Sequence, residues 1–547
     1  MADLSPKTSW TADDAAHLAR RAGFGISPEA ASALAAQSLD AAVNAWVDGG
    51  ADRTEIDAVL GATADVVDEP ARSASTTAGA VDAPAVPAPH PFLVQGNDAW
   101  RNNFSRAQAY LAFRMQYDPY PFAERMALFF HNLFATGWTK VNNAALMLDQ
   151  YQTFRDHGLD NFDDLLVLVS KDPAMAIWLD LVANDASGSN VANENYAREV
   201  MELYSLGADN GYNQTDITQL ARALSGWSFT VDQANAISDP TNPNSLTAAA
   251  GNFRVYDGSA NPDEYLWYMG AAAHLPSMHG AGTITYLGQT FDIANPPSGM
   301  VPGEDALRSI VTSRATQCSQ FLAQRLIIHF VTGNYAPSDL TDVAAMIRSA
   351  GFNLRSVMKT LLKSNYFFDA ANRFALVEGP VSWTVRAARA LGYDLATADA
   401  MTPKGFPAWS SVTDPYFEQA GMKLLDPIGP NGWKEDTGWM NSNTIRYRTM
   451  IAAAVALGAG APQSSDAGLF PSDATRWFPT EPATPQDVLA RMVALLQPAP
   501  IPTAVSDSWL QALWPSGFSW NATDPTMQAS VRELAYLILC SPGGQVY

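Results

Sequence analysis

The sequence is poor in cysteine, in long apolar runs and in positive charge, and each shortage excludes a class of protein. Only Cys318 and Cys540 occur in 547 residues, so there is no disulfide framework, and their apolar surroundings favour buried thiols. No apolar run is long enough to span a membrane, and residues 1–10 show no signal-peptide core. The 55 acidic against 33 basic residues give a net charge of −22. This charge argues against nucleic acid or an anionic membrane surface as the main partner.

Several familiar catalytic motifs are missing as well. The chain has no Gly-x-Ser-x-Gly turn, no phosphate-binding Gly-x-x-x-x-Gly-Lys loop, no His-Glu-x-x-His and no Cys-x-x-Cys. Nor does a Gly-x-Gly-x-x-Gly sequence follow a strand-like segment. Standard serine hydrolysis and nucleotide-dependent chemistry are therefore disfavoured, and attention turns to the carboxylates and histidines.

Helical periodicity is what the chain has in abundance. Hydrophobic residues make up 47% of the sequence, which is typical of a globular protein, and apolar positions recur at helical spacing along most of its length. We therefore predict a mostly α protein, a single large helical unit over residues 1–547 with a few short strands, such as 283–287. Three stretches break the pattern: a Pro/Ala-rich surface excursion at 68–91, an irregular insertion at 229–303 that we expect to cover a site, and a loop-rich segment at 393–442.

The acidic helix predicted over residues 193–207 is the first candidate for chemistry. Its apolar positions follow helical spacing, yet charged side chains stand among them, and Gly207 is placed like a C-cap. At about 100° per residue, Arg198, Glu199 and Glu202 fall within one arc of roughly 100°. Because crowded carboxylates need a partner, Glu199 and Glu202 are candidate acid/base or ligand groups, and Arg198 is a candidate substrate-binding group. The alternative is an ion-paired structural helix.

A second candidate lies in the apolar helices predicted within residues 97–157. Glu124 and His131 are seven residues apart and so share a helix face. An imidazole surrounded by phenylalanines is expected to be buried and to need a partner. His131 is therefore a candidate catalytic residue, and the adjacent Asn132 a candidate substrate-binding residue. The alternative is a core histidine whose hydrogen bonds are already satisfied.

Residues beyond these two helices complete the predicted site. His279 lies in the irregular insertion, where a loop histidine is either functional or simply solvated. Arg222 follows a helix start at Thr215 and can pair with a carboxylate of the 193–207 helix, an arrangement more often found as a structural salt bridge. Both residues, with Trp227, are candidates for substrate binding. The 15 tryptophans suit stacking on sugars, although tryptophan is also ordinary core filler.

The same histidines and carboxylates would also suit a mixed nitrogen and oxygen metal site. A divalent metal would then be the cofactor, and its candidate ligands are Glu124, His131, Glu199 and Glu202. Without a metal, the same groups would serve as acid and base.

Several blocks of the sequence, in order along nearly the whole chain, resemble the bacterial family called domain of unknown function 1800. One block alone would be unspecific, but the set makes a specific match. Around His279 the family often has His-Asp and a later lysine before Leu-Gly, whereas Gly280 and Ile284 take those places here. The blocks that carry the resemblance are residues 17–25, 126–137, 193–207, 221–227, 321–331, 432–433 and 439–441.

This resemblance implies a cellular location and a partner rather than a reaction, because the family is named for its lack of an assigned function. Its members often carry export signals and are often encoded beside an uncharacterised, sulfatase-like family. The resemblance therefore implies a periplasmic or exported location, although this chain shows no signal-peptide segment. It also implies a protein partner from that sulfatase-like family.

Our leading expectation is a hydrolase with a carboxylate/histidine site, acting on a polysaccharide or related envelope polymer. In this view Glu199 and Glu202 act as acid, base or ligand, and His131 and His279 orient substrate, move protons or bind metal. A non-catalytic scaffold or binding protein that works with an exported partner is the first alternative. A metal-dependent oxidoreductase built within a helical bundle is the second, although no paired Glu-x-x-His motif supports it.

Overall fold

The fold is described from a computed structural model. The described residues are 1–49, 99–118, 121–141, 144–228, 230–231, 253–256, 265–266, 273–274, 278–294, 302–391, 416–457 and 477–547.

Within these ranges the chain forms twenty α-helices, and the protein is mostly α, as the sequence predicts. The first ten are α1 (Ala12–Ala22), α2 (Pro28–Ala35), α3 (Leu39–Asp48), α4 (Ala99–Tyr117), α5 (Pro121–Leu133), α6 (Trp138–Val141), α7 (Ala144–His157), α8 (Phe162–Lys171), α9 (Pro173–Trp178) and α10 (Asn195–Glu202). The others are α11 (Gln214–Ala223), α12 (Pro302–Ser313), α13 (Ala315–Phe330), α14 (Pro337–Ser349), α15 (Leu354–Lys363), α16 (Pro380–Ala390), α17 (Ser442–Leu457), α18 (Pro485–Leu496), α19 (Thr503–Leu513) and α20 (Pro525–Cys540).

Local sequence signals explain where many of these helices begin. At α1 the Thr11 hydroxyl accepts the N–H of Asp14, and the Asp14 carboxylate accepts the N–H of Thr11 at 2.9 Å. Asn213 and Asp216 form the same reciprocal cap at α11. Proline occupies the first position of several other helices, where its missing N–H would have had no helical partner.

Short strands form three small antiparallel sheets among the described residues. The hairpin of β6 (Thr283–Tyr286) and β7 (Gln289–Asp292) packs on α11. There the N–H of Leu287 donates to the Asp216 carboxylate at 2.8 Å. The strands pair as β1 with β5, as β2 with β3 and β3 with β4, and as β6 with β7: β1 (Trp227–Ser228), β2 (Thr230–Val231), β3 (Phe253–Tyr256), β4 (Tyr265–Leu266), β5 (Ala273–His274), β6 (Thr283–Tyr286) and β7 (Gln289–Asp292).

Helix α5 occupies the interior of the molecule. All 13 of its residues are buried, and it packs against α4 and α7. Its Phe129 meets Phe330 of α13 with ring centroids 5.8 Å apart. A helix that is buried on every side has to satisfy its polar side chains within the protein. The contacts of the polar residues on α5 therefore decide where a site can form.

The helix predicted over residues 193–206 ends at Glu202, and Gly207, with φ of +94°, closes the turn that follows rather than the helix itself. Helix α19 is absent from the predictions, although Val505, Trp509 and Leu513 recur at helical spacing and the last two pack against the core. The predicted strand at 283–287 is confirmed as β6.

The stretches that break the helical pattern are described only in part. The predicted excursion at 68–91 lies outside the described residues, as do most of the insertion at 229–303 and the first part of the segment at 393–442. No helix in the described ranges combines the length and the apolar character needed to cross a membrane.

Candidate active site

Glu124, in the first turn of α5, belongs to a buried ion-pair network. Its Oε1 lies 2.6 Å from Nε of Arg114 and 2.6 Å from Nε of Arg155, and Arg155 Nη2 lies 2.7 Å from Oδ2 of Asp118. Burial pushes the pKa of Glu124 upward, but the charges of Arg114 and Arg155 outweigh it and hold that pKa below its ordinary value. The carboxylate therefore ties α5 to α4 and α7.

His131 lies two turns further along α5 and holds a neighbouring segment. Its Nε2 accepts the N–H of Leu425 at 3.1 Å, so the proton of the neutral ring sits on Nδ1. The ring meets Trp433 edge-on, with centroids 5.0 Å apart. Burial lowers the pKa of His131 to about 3, which keeps the imidazole neutral at pH 7. These contacts hold Leu425 and Trp433 against α5, while the predicted catalytic role of His131 stays a prediction.

Asn132 fastens the same segment one residue later. Its Oδ1 accepts the N–H of Trp433 at 2.6 Å, and the side chain of Asn132 helps to lower the pKa of the nearby Glu435. Gly432 has φ of +74°, and a Cβ there would come within 2.3 Å of the Asn132 carbonyl oxygen. Only glycine lets the chain pass this close to α5. This explains why a glycine precedes Trp433.

A cleft opens beside Asn132, between α5, the end of α13 and residues 422–439. Its unfilled space is about 450 Å³, including the mouth. The walls combine apolar side chains with a few polar groups, as in many small-ligand sites. The lining residues are Arg125, Leu128, Asn132, Ile328, His329, Leu376, Val377, Gly379, Ser382, Met422, Trp433, Glu435, Asp436, Trp439 and Tyr547.

Two of these residues form a partly buried histidine–carboxylate pair. His329 Nδ1 lies 3.1 Å from Oε1 of Glu435, and Arg325 lies 4.0 Å from the other carboxylate oxygen. Among the described residues, nothing hydrogen-bonds to Nε2 of His329. Burial and the charge of Arg125 hold the pKa of His329 below its ordinary value of 6.5. Burial raises the pKa of Glu435, but its hydrogen bond with His329 and the nearby charges bring it below normal.

At neutral pH this pair is therefore a neutral imidazole beside an ionised carboxylate. Such a carboxylate holds the proton on Nδ1 and leaves a lone pair on Nε2. The next residue, Asp436, adopts a left-handed conformation with φ of +49° and accepts the N–H of Val377 at 2.8 Å. Backbone strain of this kind is concentrated at functional sites, and here it fixes the turn that carries Glu435.

Comparison with known proteins places the chain in a family. Residues 17–546 match the model of a family described as "Protein of unknown function (DUF1800)". The chain belongs to the DUF1800 family. Neither the curated proteins nor the solved structures yield a match. The family resemblance seen in the sequence is thereby confirmed over nearly the whole chain.

Four of the blocks through which the sequence resembles DUF1800 meet at the cleft. Segments far apart in the chain thus supply the walls of a single cavity, and we take this cavity as the candidate active site of the DUF1800 protein. The blocks are residues 126–137, 321–331, 432–433 and 439–441.

The acidic helix of this DUF1800 protein lies outside the cleft lining. Glu199 is partly buried on α10, and burial together with the charge of Glu202 raises the pKa of Glu199. Arg198 pairs with Glu194, with Nη2 and Oε2 3.0 Å apart, and also donates to Gln214 at 3.0 Å. The predicted crowding of charge on one face is therefore present. No residue of α10 lines the cleft, and the catalytic roles of Glu199 and Glu202 stay predictions.

The remaining predicted residues gather around α11. His279 lies with Nδ1 2.7 Å from the Ser225 carbonyl oxygen and Nε2 3.0 Å from that of Ile293. Arg222 donates to the carbonyl of Ala281 at 2.7 Å, so the structure gives it a partner other than the predicted carboxylate. Trp227 is buried in β1. The structure thus brings His279 beside Arg222, and neither residue lines the cleft that contains Asn132.

The four candidate metal ligands of the DUF1800 protein are held by separate contacts. Glu124 belongs to the ion-pair network, and His131 accepts a hydrogen bond from the N–H of Leu425. Glu199 and Glu202 lie on a different helix, α10. In the part of the chain that the structure describes, no group of three or more His, Cys, Asp and Glu side chains is arranged to hold a metal ion.

The sequence reasoning missed Arg125, His329 and Glu435. His329 lies in block 321–331, which was noted only for its family resemblance. Glu435 is in a segment classed as loop-rich, two residues after Trp433. The sequence signal for Glu435 is its position two residues after the Gly432-Trp433 pair. A charged residue in such a loop is a candidate for a functional site.

Proposed function

We propose that this DUF1800 protein is a hydrolase whose His329–Glu435 pair activates water in the cleft, with a polysaccharide or related envelope polymer as substrate. One observation carries the proposal. The partly buried imidazole is fixed through Nδ1 by a carboxylate, while its Nε2 has no hydrogen-bond partner among the described residues. A base oriented in this way by a third group is the recurring arrangement in enzymes that deprotonate water or a hydroxyl.

The proposed chemistry follows from the protonation states. Nε2 of His329 removes a proton from a water molecule as the water oxygen bonds to the anomeric carbon of the sugar unit, and the bond from that carbon to the leaving glycosidic oxygen breaks on the opposite face. The resulting imidazolium is stabilised by Glu435 and releases its proton to solvent, while the leaving oxygen takes a proton from solvent. Because burial and Arg125 keep the pKa of His329 below 6.5, the base is unprotonated at neutral pH.

The cleft walls support a sugar unit as the group bound. The largely buried rings of Trp433 and Trp439 line the cleft, and Asn132 and Glu435 supply hydrogen-bonding groups next to them. Aromatic rings stack on the apolar faces of sugars while nearby polar groups bind the hydroxyls. Because the space of about 450 Å³ includes open solvent at the mouth, we propose that the sugar unit binds at the mouth and that a polymer reaches it through a chain end or a side group.

A non-catalytic scaffold is the second candidate, and the Glu124 network favours it. The sequence makes Glu124 a candidate metal ligand, yet in the structure its carboxylate forms ion pairs with Arg114 and Arg155. These ion pairs hold three helices together. If the His329–Glu435 pair also served only to hold helices and loops together, the cleft would have no catalytic role. The protein would then bind its partner at another surface.

The test is a product analysis on a panel of purified neutral and acidic polysaccharides and envelope polymers. The wild-type protein is expected to shorten at least one polymer, and each broken bond should add one water to the products. Mass spectrometry measures this addition, and the products should lack the ultraviolet-absorbing double bond that elimination leaves.

Glu199→Gln, assayed beside His329→Gln, decides between the two candidate sites. The proposal expects hydrolysis to persist in Glu199→Gln and to be lost in His329→Gln. Hydrolysis lost in Glu199→Gln and retained in His329→Gln would move the site to α10. A folded wild-type protein that cleaves no polymer of the panel would favour the scaffold.

A further inference from the structure

Arg125 is a buried cation without a carboxylate partner. Its side chain is 1% exposed, and Nη2 donates to the hydroxyl of Tyr547 at 2.8 Å. Among the described residues, Nε and Nη1 of Arg125 have no hydrogen-bond partner and no carboxylate lies within ion-pair distance of the guanidinium. A buried charge in this state is costly unless a counter-ion reaches it.

The position of Arg125 links this missing counter-charge to the cleft. Arg125 lines the cleft together with His329 and Glu435, and its charge is felt at His329. Glu435 already has partners in His329 and Arg325, so its charge is largely compensated. The other carboxylate that lines the cleft, Asp436, accepts the N–H of Val377, and neither it nor Glu435 forms an ion pair with Arg125. Among the described residues, Arg125 therefore lies at the cleft without a paired counter-charge.

We propose that Arg125 is an anion subsite that binds the carboxylate of an acidic sugar unit, which rests on the proposed function and narrows its substrate class. A carboxylate brings a single charge, which matches a single guanidinium. A phosphate would bring more charge close to Glu435 and would be repelled by it. Trp433 and Trp439 line the same cleft as this guanidinium.

The test is a calorimetric binding titration with three probes: glucuronate, glucose and inorganic phosphate. Wild-type protein is expected to bind glucuronate at least about tenfold more tightly than glucose, because a charge-assisted hydrogen bond is gained. Arg125→Gln is expected to lose this preference. Arg125→Lys, which keeps the charge but not the planar group, is expected to retain part of it.

Arg21 provides a matched control. It is also a fully buried arginine with unpartnered Nε and Nη1 among the described residues, and its guanidinium lies over the ring of Tyr547 at 4.4 Å, as that of Arg125 does at 5.2 Å. Arg21 does not line the cleft. Arg21→Gln is therefore expected to lose stability as Arg125→Gln does, while the preference for glucuronate stays.

Several outcomes would overturn the inference. They are equal affinity for glucuronate and glucose, tighter binding of phosphate than of glucuronate, or the same loss of preference in Arg21→Gln. If Arg125→Gln does not fold, the inference is tested by the preference for glucuronate over glucose in the wild-type protein and in Arg125→Lys. Hydrolysis of a neutral polymer without any preference for glucuronate would refute the anion subsite alone. Tight glucuronate binding without hydrolysis of any polymer would refute the proposed reaction alone.

Discussion

Replacement of His329 by glutamine is expected to lower kcat/KM by at least about 10²-fold, because the base that takes the proton from water is removed. Glutamine keeps a polar group of similar size in the cleft but cannot accept and return a proton near neutral pH. The effect should therefore lie in kcat rather than in KM. Steady-state kinetics on the polymer that the wild-type protein cleaves would measure it.

His157 gives the control for this prediction. Its Nδ1 lies 2.8 Å from Oδ2 of Asp160, so it forms a similar histidine–carboxylate pair, but on the partly exposed end of α7. His157→Gln is expected to leave kcat/KM unchanged. Glu435→Gln should lower kcat less than His329→Gln does, because Glu435 acts through the imidazole. Full activity in His329→Gln would exclude this residue as the base.

Replacement of Glu124 by glutamine is expected to lower the free energy of unfolding by about 3–5 kcal/mol at neutral pH. The substitution keeps the side-chain shape but leaves Arg114 and Arg155 buried with less counter-charge. The pKa of Glu124 is below 4.5 in the folded protein, so its charge stabilises the fold above that pH. The difference from wild type should therefore shrink as the pH falls through the folded-state pKa.

Glu194 is the matched control for the network. It forms an ion pair with Arg198 at 3.0 Å, but both side chains are partly exposed to solvent. Glu194→Gln is therefore expected to cost less than about 1 kcal/mol. Denaturant unfolding of both variants measures the two losses. A loss as small for Glu124→Gln as for Glu194→Gln would show that the network does not hold the interior together.

The sequence predicted most helices because their signals are local. The Thr11 cap, the proline starts and the apolar spacing act within a few residues, and the helices form where these signals occur. The ends were harder, as the early end of α10 at Glu202 shows, because a turn stabilised by tertiary contacts continues the same apolar spacing. Helix α19 was missed although Val505, Trp509 and Leu513 recur at helical spacing.

The site was harder to predict because its pairs are distant in the chain. His329 and Glu435 are 106 residues apart, and neither lies in a motif with a known spacing. Of the predicted site residues, Asn132 lines the cleft and His131 accepts a hydrogen bond from Leu425, while their functional roles stay predictions. It could not show that Glu124 meets two arginines, because those contacts depend on how α4, α5 and α7 pack.

The protonation state of His329 is the most direct test of the account, and it needs no substrate. Long-range ¹H–¹⁵N NMR on protein labelled in its seven histidines reports it, with His329→Gln assigning the signal. We predict a neutral ring at pH 7, with the proton on Nδ1 facing Glu435 and a pKa below 6.5. A ring that is cationic at pH 7, or that carries its proton on Nε2, would contradict the account, because Nε2 could not then act as the base.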